Sequence, residues 1–590
     1  MRVLPFALAF GIMLGSAAAA AGPIADENAK PGIDGGWPVR NDGTAAVAGV
    51  VDVYPGKWSI KPGETITLKV RSTTGYSVRV FRVGWYGGKG AHEVKKIEGL
   101  PADAQPYPVP EGDFGLAEAR WKDSVSIPTD ASWTPGVYVV RVERADGFEA
   151  DTFFVVRDDL AKMPILALIA TATHQAYNAW PGMKRSGKSL YDFNSAPGSP
   201  KGSLYAAAVK VSFDRPFLVG GGTADLGTQE YPAIRFLERN GWDVGFVTDQ
   251  DVHEHPEVFK GRKAVLVLGH AEYWTHDMFD GAMAARDSGV NLMFMTGNTI
   301  GWQIRFEPGA GGPMSTEIGY KNSFVRDPEQ KAAIAALNAG DIEGAKKHFR
   351  LVTRGFRQLE YRPEVGIDMR SPAMILTGVQ STAMMKTGFP WGDLEITNPT
   401  HWIFEGTGVK AGDRIKGVMG YEVDSTKKGD PTWDHFRPAG QIRLGTIRQT
   451  TDDSAQGSAG YYAKDLGGGR FAEVVALSAI SFSWGLDGFA HGSSTPESDI
   501  AKKMVNNALA RWTSTTPPKD PGSGLDEDKT GDPNGDRGGS DTDLGGAPGP
   551  SAPKSKGCTY AAAGGTSFAL AAAGLSALSL ARRRRRRRLG

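Results

Sequence analysis

The chain predicts an α/β domain preceded by a β-sandwich, and three observations lead there. From about residue 160, short continuous apolar runs (MPILALIATAT, WDVGFVTD, AVLVLG, NLMFM) alternate with amphipathic helical segments, as expected of strands covered on both faces. Residues 46–157 break instead into brief stretches of alternating polarity bounded by turn residues. Polar side chains stand where the apolar runs end, and in an open α/β sheet ligands bind beyond the carboxyl ends of the strands.

Taken in order, Arg2, the apolar run LPFALAFGIML and the small residues SAAAAAG have the three-part layout of a secretory signal over residues 1–22. Within 46–157, TITLKV, SVRVFRV and YVVRVE alternate with the period of a strand that has one wet face, so an immunoglobulin-like β-sandwich is expected. GWYGGKGA is glycine-rich but opens no helix, and it reads as a hairpin loop. The α/β domain follows over 160–514. In it YPAIRFLERNGW is a helix stopped at Gly241, while HWIFEG, DRIKGVMGYEVD and AEVVALSAISFSW form a β-rich carboxyl-terminal part packed on the same core. SDIAKKMVNNALARW closes the domain as an amphipathic helix. The Pro-, Gly-, Ser- and Asp-rich residues 515–557 are a flexible linker, and their stretch DPNGDRGGSDTD lacks the final glutamate of an EF-hand loop.

Residues 558–590 open on Cys558, run through an apolar span to Ala581 and close with seven arginines, Arg582 to Arg588. The span is close to the roughly 20 residues that cross a bilayer, and the positive cluster would stay inside. An exported protein held at the cell surface by a carboxyl-terminal transmembrane helix is therefore expected. This order resembles the MYXO-CTERM and GlyGly-CTERM class of bacterial sorting tails, which implies a sorting protease or lipidation machinery acting at Cys558. With those seven arginines set aside, the 67 basic residues fall to 60 against 66 acidic ones, so no basic patch remains for nucleic acid. Cys558 is the only cysteine, which excludes an internal disulfide and a thiol nucleophile in the folded body.

The segment Ala264 to Trp302 carries the most chemistry. It reads as a strand, a helix N-capped by Thr275 and stopped at Gly289, and a second strand, with Met278, Ala282 and Met283 facing the sheet. His270, Glu272 and Tyr273 follow the first strand directly, and Thr296, Asn298 and Thr299 follow the second. No G-x-S-x-G elbow or H-E-x-x-H pattern occurs in the sequence. His253 and His255 in DVHEHPE form a possible metal-binding pair, though a loop after a strand is an ordinary place for histidine.

The motifs TATHQAYNAW, GKSLYDFNS, VSFDRP, FLERNGWDV, VTDQDVH, GHAEYW, GVNLMFMTGNTIGWQ and GYEVD, in that order, with FRVGWYGGKGA ahead of them, resemble the large (beta) subunit family of N,N-dimethylformamidase. The resemblance covers roughly Phe81 to Trp512 and implies a three-layer fold like that of ThuA and the class I amidotransferases. It also implies a mononuclear ferric ion held by two tyrosinates and a glutamate, here Tyr177, Tyr191 and Glu272. His270, two residues before that glutamate, would take part in the chemistry, with Lys321 and Glu422 near it. The substrate implied is a small amide, and a small second subunit is a possible partner. Two phenolates and a carboxylate are hard anionic donors whose three charges balance a trivalent iron, whereas zinc favours His and Cys. The sequence departs from the family at Gly301, where a bulky aromatic is expected, and at Ala271 between His270 and Glu272.

Taken alone, Tyr177 and Tyr191 also read as packed aromatics with satisfied hydroxyls. Two further readings stay open, because fold does not fix function. One is a non-catalytic surface module binding glycan or protein on the same scaffold; the other is a carbohydrate-directed enzyme.

Overall fold

The computed structural model describes residues 22–33, 50–112, 116–159, 163–181, 189–191, 207–218, 222–384, 391–426, 434–448, 457–488 and 495–514. Within them the protein is a mixed α/β molecule built from several sheets.

Two sheets in the amino-terminal part pack face to face. One has the strand order Val51–Pro55, Thr65–Ser72, Val125–Pro128; the other runs Ser59–Ile60, Glu149–Val156, Gly136–Arg144, Tyr76–Val83, Ala91–Leu100. Val53, Leu68, Val80, Val140 and Phe154 meet between them. Thr65–Ser72 has the expected wet face, since alternate residues are exposed or half-exposed. Gly136–Arg144 does not, because Val137 and Val139 turn outward into a second core shared with Phe236 and Leu237 of the helix Tyr231–Arg239. The α/β part covers that face. Across this contact Arg82 Nη2 lies 2.8 Å from Glu238 Oε1 with both side chains fully buried, a pair that would be costly to break from one side. GWYGGKGA lies in the hairpin between Tyr76–Val83 and Ala91–Leu100.

The α/β part is organised on one nine-stranded sheet, ordered Val244–Thr248, Ile165–Ile169, Ala264–Gly269, Asn291–Thr296, Phe471–Ala476, Ser458–Asp465, Ile442–Arg448, Gly392–Ile396, Arg414–Met419. Its first five strands are mutually parallel and the remaining pairings are antiparallel. Most of the β-rich carboxyl-terminal strands therefore extend the sheet, while Glu422–Ser425 pairs with Gln380–Met384 in a separate two-stranded sheet. Alternate side chains of the parallel strands supply two separate cores: Leu266 and Met293 face the helices Tyr231–Arg239 and Asp499–Thr513, while Val267 and Phe294 face the helix His276–Ser288. Burial on both faces explains why these strands read as unbroken apolar runs. HWIFEG departs from the strand expectation, since Trp402–Phe404 is a single 3-10 turn capped by His401.

The expected transmembrane anchor is not supported. Among the described residues no helix is long and apolar enough to cross a membrane. The longest, Asp499–Thr513, has 15 residues and carries Lys502, Lys503 and Arg511, so it is both too short and too charged for a bilayer core of about 30 Å. All but the last residue of the expected leader over 1–22, the linker and the apolar span to Ala581 lie outside the described residues.

Candidate metal centre

The site lies beyond the carboxyl ends of the parallel strands. Ala264–Gly269 delivers His270 and Glu272 through Gly269, whose φ is 69° and whose missing side chain matters: a Cβ there would meet the Glu230 carboxyl carbon at 2.7 Å. Ile165–Ile169 leads into the helix Thr171–Tyr177, which ends on Tyr177. Asn291–Thr296 leads to Asn298, and Asn298 and Ile300 both take a φ of 52°, uncommon for residues other than glycine. Thr299, between them, donates to Asp424 at 2.6 Å, which ties this loop to the strand Glu422–Ser425 that carries Glu422.

The expected residues converge on one carboxylate oxygen. Tyr177 and Tyr191 donate to Glu272 Oε2 at 2.9 and 3.2 Å. Their rings stack with centroids 4.3 Å apart. His270 Nε2 stands 3.4 Å from the same oxygen and 2.9 Å from Glu422 Oε2. Despite that proximity the His270 and Glu422 atoms are not aligned for a hydrogen bond, and both remain buried without one among the described residues. Lys321 reaches the group through Tyr273, to whose hydroxyl it donates at 2.9 Å.

Sequence reasoning left several neighbours without a role. Asn298 Nδ2 donates to Glu272 Oε1 at 2.9 Å and to Glu422 Oε1 at 3.3 Å, bridging the two carboxylates. Trp302 Nε1 donates to Glu272 Oε1 at 2.8 Å, and the Tyr421 hydroxyl lies 3.4 Å from His270 Nδ1. The position of Asn298 just after a strand was the available signal; nothing local marked Trp302 or Tyr421. At Gly301 a Cβ would meet Asn298 Oδ1 and the Glu272 side chain at 3.2 Å each, so the aromatic expected there would press on both. His253 and His255 form no pair: His253 Nδ1 lies 2.9 Å from the Thr275 hydroxyl and His255 faces Glu257 at the surface.

Electrostatics mark the site as overloaded with acid. Burial, then the charge of Glu422, holds the Glu272 carboxyl above its ordinary range. Burial works against protonating His270, but Glu422 and then Glu272 outweigh it and hold the imidazole above its ordinary range. Burial followed by Glu272 pushes the Tyr177 and Tyr191 phenols far up. A buried phenol surrounded by carboxylates ionises only if a cation arrives.

The donor set suits a metal ion. Ligand atoms of His270, Glu272 and Glu422 lie within 4.8 Å of one another, and the two phenol oxygens adjoin them. Neighbouring donors on one ion stand roughly 3 Å apart when bonds are near 2.1 Å, and the contacts around Glu272 Oε2 run from 2.9 to 3.4 Å.

Fold and site together define a mixed α/β protein with a buried, oxygen-rich centre able to hold a metal ion. Residues 77–497 match the family described as N,N-dimethylformamidase beta subunit-like, C-terminal, and the chain belongs to that family. Membership supports a dimethylformamidase-like enzyme of amidohydrolase type. No curated protein matches the chain. Among solved structures, a cycloisomaltooligosaccharide glucanotransferase from Paenibacillus sp., complexed with cycloisomaltoheptaose, is 11% identical, with 41% of this chain and 44% of that one covered at a TM-score of 0.14. The chain thus spans less than half the length of that protein, and the likeness carries no argument.

Proposed function

We propose that the protein is an iron(III)-dependent hydrolase that cleaves the C–N bond of a small amide, with Tyr177, Tyr191 and Glu272 holding the iron. The observation that carries this reading is the convergence of two phenol oxygens on one oxygen of the buried Glu272. When bound, the ferric ion supplies Lewis acidity, polarising the amide carbonyl and making water easier to deprotonate.

The remaining work falls to the chain. His270, which faces Glu422 and Glu272 through Nε2, gives a proton from that nitrogen to the departing amine. Glu422, 2.9 Å away, returns a proton from the attacking water to that nitrogen. Water oxygen bonds to the carbonyl carbon, the C–N bond breaks, and the products are a carboxylic acid and an amine. Asn298 keeps the two carboxylates at a fixed spacing by donating to both. Lys321 places a positive charge 3.6 Å over the Tyr191 ring. The family's beta-subunit description supports assembly with a second, smaller subunit.

The test is metal content and a visible spectrum of the purified full chain, followed by a screen of small formamides and acetamides for released amine. Stoichiometric iron with a tyrosinate-to-iron band that Tyr191→Phe weakens and shifts is the expected result. A colourless protein that takes up no iron would overturn the reading in favour of a binding module.

A further inference from the structure

Tyr177 and Tyr191 approach the same oxygen of Glu272, yet their surroundings differ. Lys321 Nζ donates to the Tyr273 hydroxyl at 2.9 Å, and that hydroxyl stands 2.7 Å from the Tyr191 hydroxyl. Donor counting fixes the direction of each proton. An ammonium group only donates, so the Tyr273 oxygen accepts from Lys321 and sends its single O–H to Tyr191, whose own O–H goes to Glu272. Tyr273 is fully buried, so water does not compete for this bond. Lys321 is held in a left-handed conformation, with φ 53°. For Tyr177 the hydrogen bond found among the described residues is the one to Glu272.

We propose that Tyr273 is a positioning residue for the metal centre: backed by Lys321, it hydrogen-bonds the Tyr191 oxygen and makes Tyr191 the weaker electron donor of the two tyrosine ligands. The inference rests on the ferric tyrosinate reading above. A phenolate that accepts a hydrogen bond shares its charge with the donor and gives less of it to the metal, and such outer partners tune a centre without touching it. Charge transfer from that phenolate to iron then needs more energy. Tyr177, which has no such donor among the described residues, is left as the stronger ligand.

The experiment compares the full iron-loaded chain with Tyr273→Phe, which removes one oxygen and keeps the ring. Iron content is expected to stay at the wild-type level while the visible band moves to longer wavelength. In resonance Raman spectra, one of the two tyrosinate C–O stretches should move and the other stay. Lys321→Met should move the same stretch in the same direction and carries the test if Tyr273→Phe does not fold. Tyr421→Phe, whose hydroxyl faces His270 rather than Tyr191, should move neither. General loosening of the site would shift both stretches together, and that result, or an unmoved spectrum at full iron content, overturns the inference alone. A wild-type protein without a tyrosinate band overturns the proposed function and this inference with it.

Discussion

Two buried histidines on opposite halves of one sheet show how neighbours decide what an imidazole can do. His270 follows a parallel strand and faces Glu422 and Glu272, which hold its pKa above the ordinary value. His401 lies between two antiparallel strands, packs edge-on against Tyr461 with centroids 4.5 Å apart, and is pushed down to about 3 by burial and then by Arg511. The carboxylates beside them differ in the same sense. Glu473, near His401, accepts from both Arg511 and Trp512 and from the Tyr461 hydroxyl at 2.7 Å. Glu272 is instead surrounded by phenols and by a second carboxylate. One half of the sheet has neutralised its buried acid within the chain, and the other has left negative potential that an added cation would complete.

The largest expected effect comes from removing that acid. Glu272→Gln should lower iron affinity by more than ~100-fold, beyond what outer-shell changes cost, and abolish amine release. Its metal-free form should melt no lower than wild type, because one of two facing carboxylates has gone; a clear drop in melting temperature would mean that Glu272 is structural. Glu473→Gln should do the opposite. It leaves Arg511 without its counter-charge and should cost about 3–5 kcal/mol in denaturant unfolding, with iron uptake intact.

The histidines differ in pH dependence. The folded state resists protonating His401 while the unfolded chain takes up a proton near 6.5, so stability is lost as pH falls from about 6.5 toward 3. His401→Asn, which keeps an acceptor for the Ile403 amide, should flatten this acid limb by a few kcal/mol. His270 has the reverse sign. Its raised pKa stabilises the metal-free fold fully below the unfolded value, and that contribution fades as pH climbs through the folded one. His270→Gln should therefore flatten the alkaline limb, and equal limbs in wild type and variant would refute the assignment. The smallest effect belongs to Thr275→Ala. Loss of this N-cap, which accepts from the Met278 amide at 3.3 Å, should cost about 1 kcal/mol and leave the iron spectrum unchanged.

Much of the parallel half could be read from the chain. AVLVLG and NLMFM are strands at Ala264–Gly269 and Asn291–Thr296, Thr275 caps the helix between them, and Gly289 ends it in the left-handed region at φ 105°. These features have local causes: apolar runs, a hydroxyl at the cap, and a residue without a Cβ. HWIFEG was harder, since a run of six with two aromatics suits a strand or a packed turn equally, and packing against Tyr461 and the closing helix decided for the turn. The valines of YVVRVE face two cores rather than one core and water for a similar reason, since the covering layer comes from residues far along the chain.

By itself the sequence determined which elements form and that His270, Glu272 and Asn298 would stand at strand ends, because hydrophobic periodicity, capping and glycine conformations act over a few residues. Only the tertiary structure decided that Tyr177, Tyr191 and Glu422 meet Glu272 in one buried cluster, and that Tyr273 and Trp302 complete it. Those contacts join segments as much as 152 residues apart, from His270 to Glu422. Their geometry is set by how the strands order in the sheet and by loops held at positive φ, which no local pattern encodes.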